Sequence, residues 1–258
     1  MVKSKLMKAV TFKEYGKPEV LTIDYIKVPE LGSNDVLLKV FAAGVNRPDL
    51  LQREGKYLPP KDASDILGLE ASGEVVLKGK KVSKWEIGDK VTALLHGGGY
   101  SEYVKVHEDH CLNIPKGISM TEAGGLCENY FTVWSNIFSK KILKKNQNFL
   151  LHGGSSGIGI AAIQLAVNYG INVFTTVGNE KKQKFCQKLG VKKVINYKKE
   201  DFFQILKPIS KSHGINLILD MVGGDYINKN ISLLSNDGYL IFIAFLNGSI
   251  AQTDFVKI

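Results

Sequence analysis

A buried strand that runs into a glycine loop and straight on into an apolar helix constrains this chain more than any other feature. The segment is Phe149-Leu150-Leu151-His152-Gly153-Gly154-Ser155-Ser156-Gly157-Ile158-Gly159. A helix that starts so close to a strand end leaves its first N–H groups unpaired and aimed above the strand, where an anion can accept from them. Gly154 suits the tight turn, Gly157 lets the backbone approach a pyrophosphate, and Gly159 permits close helix-strand contact. The spacing Gly-x-x-Gly-x-Gly is offset from the commoner pattern, and any sharp strand-to-helix turn needs glycine. The context, more than the loop itself, makes dinucleotide binding the favoured reading.

That context is a chain with two different periods. Up to about residue 115, short β-branched runs alternate with Gly, Pro and Asn breaks, as in Leu21–Tyr25, Val36–Val40, Gly73–Leu77, Lys90–Leu95 and Ser101–Val106. This pattern predicts a small β-barrel or sandwich, interrupted by one helix at Pro48–Gly55. Beyond about residue 120, strands at Asn148–His152, Asn172–Val177, Lys193–Asn196, Ile215–Asp220 and Gly238–Ala244 are separated by helices at Gly157–Tyr169, Glu180–Leu189, Phe202–Lys207 and Tyr226–Leu234. Alternating β and α elements predict a doubly wound parallel sheet, so the fold class is α/β with domains at 1–122 and 123–258.

Composition narrows the remaining classes. No run of about 18 apolar residues is present, and MVKSKLMKAVTF has no long apolar stretch behind its charges, so neither a membrane span nor a signal peptide is written here. The expected location is cytoplasmic. Cys111, Cys127 and Cys186 lie far apart with no C-x-x-C pair, which predicts reduced structural thiols rather than a disulfide framework or local zinc motif. The net charge of +9 is spread over scattered lysine pairs. A solvated lysine-rich surface accounts for it better than a nucleic-acid patch does.

The second strand of the α/β half bears on the cofactor. A site for NAD usually ends this strand with Asp or Glu to hold the ribose hydroxyls. Here the strand ends at Val177-Gly178, followed by Asn179, Glu180, Lys181 and Lys182. The small Gly178 leaves room for a 2′-phosphate and a lysine can neutralise it, which favours NADPH; a shift of the strand end by one or two residues would instead make Glu180 a ribose ligand.

The stretch Asn46-Arg47-Pro48-Asp49-Leu50-Leu51-Gln52-Arg53-Glu54-Gly55-Lys56-Tyr57, with Ile66-Leu67-Gly68-Leu69-Glu70-Ala71-Ser72-Gly73, resembles the quinone oxidoreductase branch of the medium-chain dehydrogenases. Similar segments at 93–103, around the glycine loop, at 196–202 and at 216–224 extend the resemblance over nearly the whole chain. It implies a GroES-like barrel domain joined to a Rossmann domain, an active site in the cleft between them, a small-molecule quinone as substrate and a homodimer in full-length members. Zinc-dependent members carry Cys and His where this chain has Asn46 and Leu69, and the four clustered cysteines of a structural zinc lobe are missing, so no metal is expected. Without a Lewis acid, the implied chemistry is hydride or electron delivery from NADPH to an already electrophilic acceptor.

By the same resemblance, Asn46 lies near the nicotinamide ribose and Tyr57 lines the substrate cleft, the two serving as the catalytic pair. Thr132 matches a position near the nicotinamide amide, Gly178, Lys182 and Tyr197 match the 2′-phosphate site, and Val222 and Gly223 pass close to the cofactor. From the residues alone, Tyr57 reads equally as a half-buried loop aromatic, Asn46 as a turn former and Thr132 as a helix hydroxyl bonded one turn back. Asp220 is expected to cap Val222-Gly223-Gly224. His96 and His152 are isolated from any carboxylate in sequence.

Two departures stand out. Ile243-Ala244-Phe245 replaces a segment where relatives often carry glycine. Family members also continue beyond Ile258, supplying a sixth Rossmann strand and the last part of the barrel domain, so both domains are expected to be C-terminally incomplete. That expectation keeps two other functions in view: an NADPH-binding truncated isoform or sensor with little turnover, and an RNA-binding protein like the more distantly similar zeta-crystallins.

Overall fold

The structure is a computed structural model that describes residues 5–212 and 214–253. The chain divides into two compact units, Met1–Glu128 and Asn129–Ile258.

The first unit is built on antiparallel sheets. Strands β1 (Leu6–Thr11) and β2 (Thr22–Lys27) pair with each other, from Leu6 opposite Lys27 to Thr11 opposite Thr22. Five further strands are β3 (Asp35–Ala43), β4 (Glu70–Lys78), β5 (Lys90–Leu94), β6 (Tyr103–His107) and β7 (Cys111–Asn113), in the order β6-β3-β4-β5-β7. Their inward residues Val36, Leu38, Val75, Val91, Ala93, Val104 and Val106 form one buried cluster with Trp85, whose indole N–H donates to the Glu108 carbonyl at 2.9 Å. Helix α1 (Arg47–Arg53) leaves the end of β3. Pro48 suits its first turn because the ring fixes φ and the missing N–H would have been unpaired there anyway. The helix stops before Gly55, whose φ of +71° only glycine adopts without strain. Helix α2 (Met120–Ala123) and the start of α3 (Cys127–Val133) follow.

The second unit alternates β8 (Asn148–His152), α4 (Gly157–Asn168), β9 (Asn172–Val177), α5 (Glu180–Lys188), β10 (Lys193–Asn196), α6 (Phe202–Ser212), β11 (Ile215–Asp220), α7 (Tyr226–Ile231) and β12 (Leu234–Phe242). All strands are parallel, in the order β10-β9-β8-β11-β12, which is the doubly wound order in which the direction of travel across the sheet reverses between β8 and β11. Phe149 and Leu151 join the core on the α4 side, whereas Leu150 joins Ile218, Phe202 and Leu206 on the other. Period-two alternation within an unbroken apolar run is thus two buried faces, which is why β8 reads as continuously apolar.

Three expectations need correction. Leu234 is not the end of a helix; it pairs with Ile215 in β12, and Ser235-Asn236-Asp237-Gly238 form a bulge inside that strand, with Asp237 at φ +58°. Turn-type residues there interrupt the register without ending the element. Helix α6 does not stop at Lys207 but continues through Pro208, because the carbonyl that loses its partner belongs to the exposed Gln204 and the buried Phe202 and Leu206 hold the helix down. Strands β1 and β7 lie outside every run that the sequence pattern marks as a strand.

Candidate functional site

The glycine loop is tight because two of its glycines, Gly154 and Gly159, have no room for a side chain. A Cβ on Gly159 would lie 2.7 Å from the Gly154 carbonyl carbon, and one on Gly154 would lie 2.8 Å from Thr175 Cγ2. The atoms nearest a Cβ on Gly157 would be those of the Asn129 side-chain amide, with Nδ2 at 2.8 Å. Ser156 caps α4 by accepting from the Gly159 N–H at 3.0 Å. Gly153 and Gly154 N–H groups both donate to the Thr176 carbonyl at 3.1 Å, which pins the loop to the end of β9. The result is a helix N-terminus behind a strip of bare backbone, which could hold an anionic group. Asn129 also brings α3, the helix of Thr132, up to the loop. The Thr132 carbonyl accepts from Asn136 Nδ2 at 2.8 Å in the widened turn Trp134–Phe138 that follows.

At the tip of β9 the structure brings Gly178 and Tyr197 together: a Cβ on Gly178 would lie 2.7 Å from the Tyr197 hydroxyl oxygen. Asn179 caps α5 by accepting from the Lys182 N–H at 2.9 Å. Lys182 is exposed, with no ion pair among the described residues. Glu180 is engaged by Lys199 at 2.6 Å, and that ammonium holds its carboxyl below the usual carboxylate range.

The loop after β11 is held by Asp220, as the sequence suggests. Its Oδ1 accepts from Val222 N–H at 2.6 Å and Gly223 N–H at 3.2 Å. Sequence reasoning missed what lies behind it. His152, fully buried, meets Thr176 Oγ1 through Nδ1 at 3.1 Å and Asn230 Oδ1 through Nε2 at 2.9 Å, and Asn230 Nδ2 donates to Asp220 Oδ2 at 3.0 Å. The histidine is therefore separated from its carboxylate by 68 positions in sequence and by one amide in space. Burial pushes its pKa below the ordinary histidine value, opposed by the Asn230 bond and the Asp220 charge.

The first unit holds the other candidates. Asn46 precedes α1, buried, with its backbone N–H donating to Asp49 Oδ2 and its side-chain Nδ2 donating to Glu70 Oε1, each at 2.8 Å. Asp49 also accepts from Gly68 N–H and the Tyr100 hydroxyl, each at 3.0 Å, and Glu70 Oε2 accepts from Glu128 N–H at 3.0 Å. Desolvation raises the pKa of Glu70, against the bond from Asn46. Desolvation also raises Glu128, with the Glu70 charge adding to it. Tyr57 is 40% exposed and lines a cavity of about 200 Å³ together with Pro48, Gln52, Leu69, Leu95 and His96. The three cysteines are free and buried, and desolvation lifts Cys111 to about 12 and Cys127 to about 11, so neither of these two is a ready nucleophile.

Comparison with known proteins agrees with both halves. Residues 32–116 match the alcohol dehydrogenase GroES-like domain, and residues 157–256 match the zinc-binding dehydrogenase family. The human protein named quinone oxidoreductase is 32% identical over 247 residues, covering 93% of this chain and 73% of the relative. The chain belongs to the medium-chain dehydrogenase/reductase family. Two structures of the family show how widely the fold is used. The Escherichia coli quinone oxidoreductase complexed with NADPH has a TM-score of 0.85 at 28% identity, with coverage of 96% of this chain and 76% of that one. The CurK enoyl reductase has a TM-score of 0.85 at 26% identity, covering 93% and 74%. As a member of this family, the chain is an α/β oxidoreductase. Among the described residues no helix is long and apolar enough to cross a membrane.

Proposed function

We propose that the chain is an NADPH-dependent oxidoreductase that reduces quinones or similar electrophilic carbonyl acceptors without zinc. The observation that carries this reading is the tip of β9, where the bare Gly178 lies under Tyr197, Lys182 has no ion pair among the described residues and the nearby carboxylate of Glu180 is engaged by Lys199. A 2′-phosphate would gain the ammonium of Lys182 and the hydroxyl of Tyr197 there, whereas a ribose diol would find no carboxylate aimed at it. Gly154, Gly157, Gly159 and the first turn of α4 would hold the pyrophosphate, and Val222, Gly223 and Thr132 would border the nicotinamide end. When bound, the dinucleotide would supply the reducing equivalents. The chain's own residues bind, orient and exclude water.

Asn46 and Leu69 do not make a zinc site. The Asn46 carboxamide is a poor zinc ligand next to a thiolate or an imidazole, and Leu69 offers no donor atom. Tyr57, half-exposed, lines a cavity of the first unit, where its ring can stack on a flat conjugated acceptor and its hydroxyl can donate to a carbonyl. A conjugated enone presents the same electrophile, and the likeness to an enoyl reductase supports keeping the acceptor class that broad. The test is fluorescence titration with NADPH and NADH, followed by quinone-dependent NADPH oxidation with a chelator present. Tighter NADPH binding with chelator-resistant turnover is expected. Preference for NADH, or activity restored only by zinc, would overturn the reading; binding without turnover would favour a sensor.

A further inference from the structure

The buried chain Thr176–His152–Asn230–Asp220 crosses the carboxyl ends of β9, β8 and β11, the three central strands above which the dinucleotide loops stand. Its hydrogen bonds can run in only one direction. Asp220 is an acceptor, so Asn230 must turn its Nδ2 to Asp220 and its Oδ1 to His152. His152 must then carry its proton on Nε2 to donate to that oxygen, which leaves Nδ1 to accept from the Thr176 hydroxyl. The rings of Phe202 and Tyr226 meet His152 edge-on, with centroids 4.8 and 4.9 Å away, and prevent it from turning. One end of this chain fixes Val222 and Gly223 through Asp220 Oδ1. The other end is Thr176, whose carbonyl takes the N–H groups of Gly153 and Gly154.

We infer that Thr176, His152, Asn230 and Asp220 are positioning residues for the dinucleotide: a directional hydrogen-bond chain, set by the Asp220 carboxylate, that holds the loop after β11 in register with the glycine loop. This rests on the dinucleotide reading above. A pyrophosphate on one loop and a nicotinamide beside the other need both loops at a fixed spacing, and neither loop touches the ligand through these four side chains. Buried polar networks fix geometry when every member is satisfied, and among the described residues no buried side-chain N or O lacks a partner.

Asp220→Asn tests the direction with almost no change of shape. The substituted amide keeps an oxygen for Val222 and Gly223 but turns a donor toward Asn230, whose own amide must flip, forcing His152 to carry its proton on Nδ1 and donate to Thr176. Ring 15N–1H correlation spectra should show the Nε2–H form in the unaltered protein and the Nδ1–H form in the variant. Asn230→Ala cuts the chain and should weaken NADPH and NADH alike, by about tenfold. Asp220→Asn, which keeps every bond but loses the charge, should weaken both less. A purely structural chain would lower the unfolding temperature and leave the affinity of the folded protein unchanged, and that result would overturn the inference, as would an Nδ1–H ring in the unaltered protein. Should Asn230→Ala not fold, the near-isosteric Asn230→Leu, which also leaves His152 and Asp220 unbridged, decides, with unchanged binding counting against the proposal. If the unaltered protein bound neither dinucleotide, the functional reading would fall and the positioning role with it, while the spectra would still report the chain's direction.

Discussion

The glycine loop of the second unit and the polar cluster around Asn46 in the first are both tight, but they are tight for opposite reasons. Around Gly154 and Gly159 the backbone is close because side chains are missing, and the close approaches are to Gly153, Gly154 and Thr175. Around Asn46 the backbone is held because side chains are present: Asp49 and Glu70 accept five hydrogen bonds between them from Asn46 (backbone and side chain), Gly68, Tyr100 and Glu128. A site made of absent side chains tolerates additions badly. One made of buried carboxylates tolerates deletions badly.

The largest expected effect follows from the second kind. Asp49→Ala removes the acceptor of three donors, those of Asn46 N–H, Gly68 N–H and the Tyr100 hydroxyl. Leaving several such donors unpaired should cost about 3–5 kcal/mol in the chemical unfolding of the first unit. A cost under about 1 kcal/mol would mean that water takes over these bonds, and the contrast between the two regions would dissolve.

On the other side, Gly159→Ala should cost about 2–3 kcal/mol, because the new methyl meets backbone that cannot move without shifting the loop. Gly157→Ala first meets the Asn129 amide, which can rotate away, and should stay within about 1 kcal/mol while still weakening dinucleotide binding. Calorimetry and cofactor titration on the pair separate folding from ligand approach. Equal stability losses would show that the two glycines do one job.

The same contrast decides what is legible in the sequence. Strands β8, β9, β10 and β11 have the residue limits the pattern predicts, because a strand buried on both faces writes a continuous apolar run between glycine and asparagine breaks. The glycine loop is legible because its parts are contiguous. The cluster of Asp49, Glu70 and Tyr100 is not: its members stand tens of residues apart, and Glu70 alone looks like any strand glutamate until β4 turns it inward. His152 is equally opaque, since nothing at 152 indicates that Asn230 bridges it to Asp220. The β12 bulge is hidden because Asn-Asp-Gly is the composition of a turn, and only pairing with β11 makes it an interruption.

Charge reversal at the exposed edge of the second unit should have a smaller and more selective effect. Lys182→Glu is expected to weaken NADPH by about 1–3 kcal/mol and NADH hardly at all, the cost of losing one charge-assisted contact to a phosphate. Since Asn179 accepts from the backbone of Lys182, the α5 cap survives the substitution. Equal losses for both cofactors would move the 2′-phosphate away from Gly178 and Tyr197.

The smallest effect is one of pH, and it asks whether a buried side-chain network in the second unit behaves like that of the first. His152 is held neutral: burial lowers its pKa from the ordinary value of 6.5 in the folded chain, whereas in the unfolded chain it titrates normally. The unfolded state therefore binds more protons as the pH falls through the ordinary histidine range, so stability is full above about 6.5 and declines below it, by at most about 1.4 kcal/mol per pH unit for one group. Denaturation midpoints measured between pH 7.5 and about 5.5, above the carboxylate range, should show this slope, and His152→Gln should flatten it while lowering stability at about pH 7.5. Glu70 moves the other way. Its raised carboxyl pKa makes the charged form costly in the fold, so Glu70 itself takes no stability from the first unit as the pH falls toward that value. If His152→Gln left the slope unchanged, the partly exposed His110, whose pKa burial and the neighbouring His96 and His107 also lower, would be the group responsible, and the pH sensitivity would belong to the first unit instead.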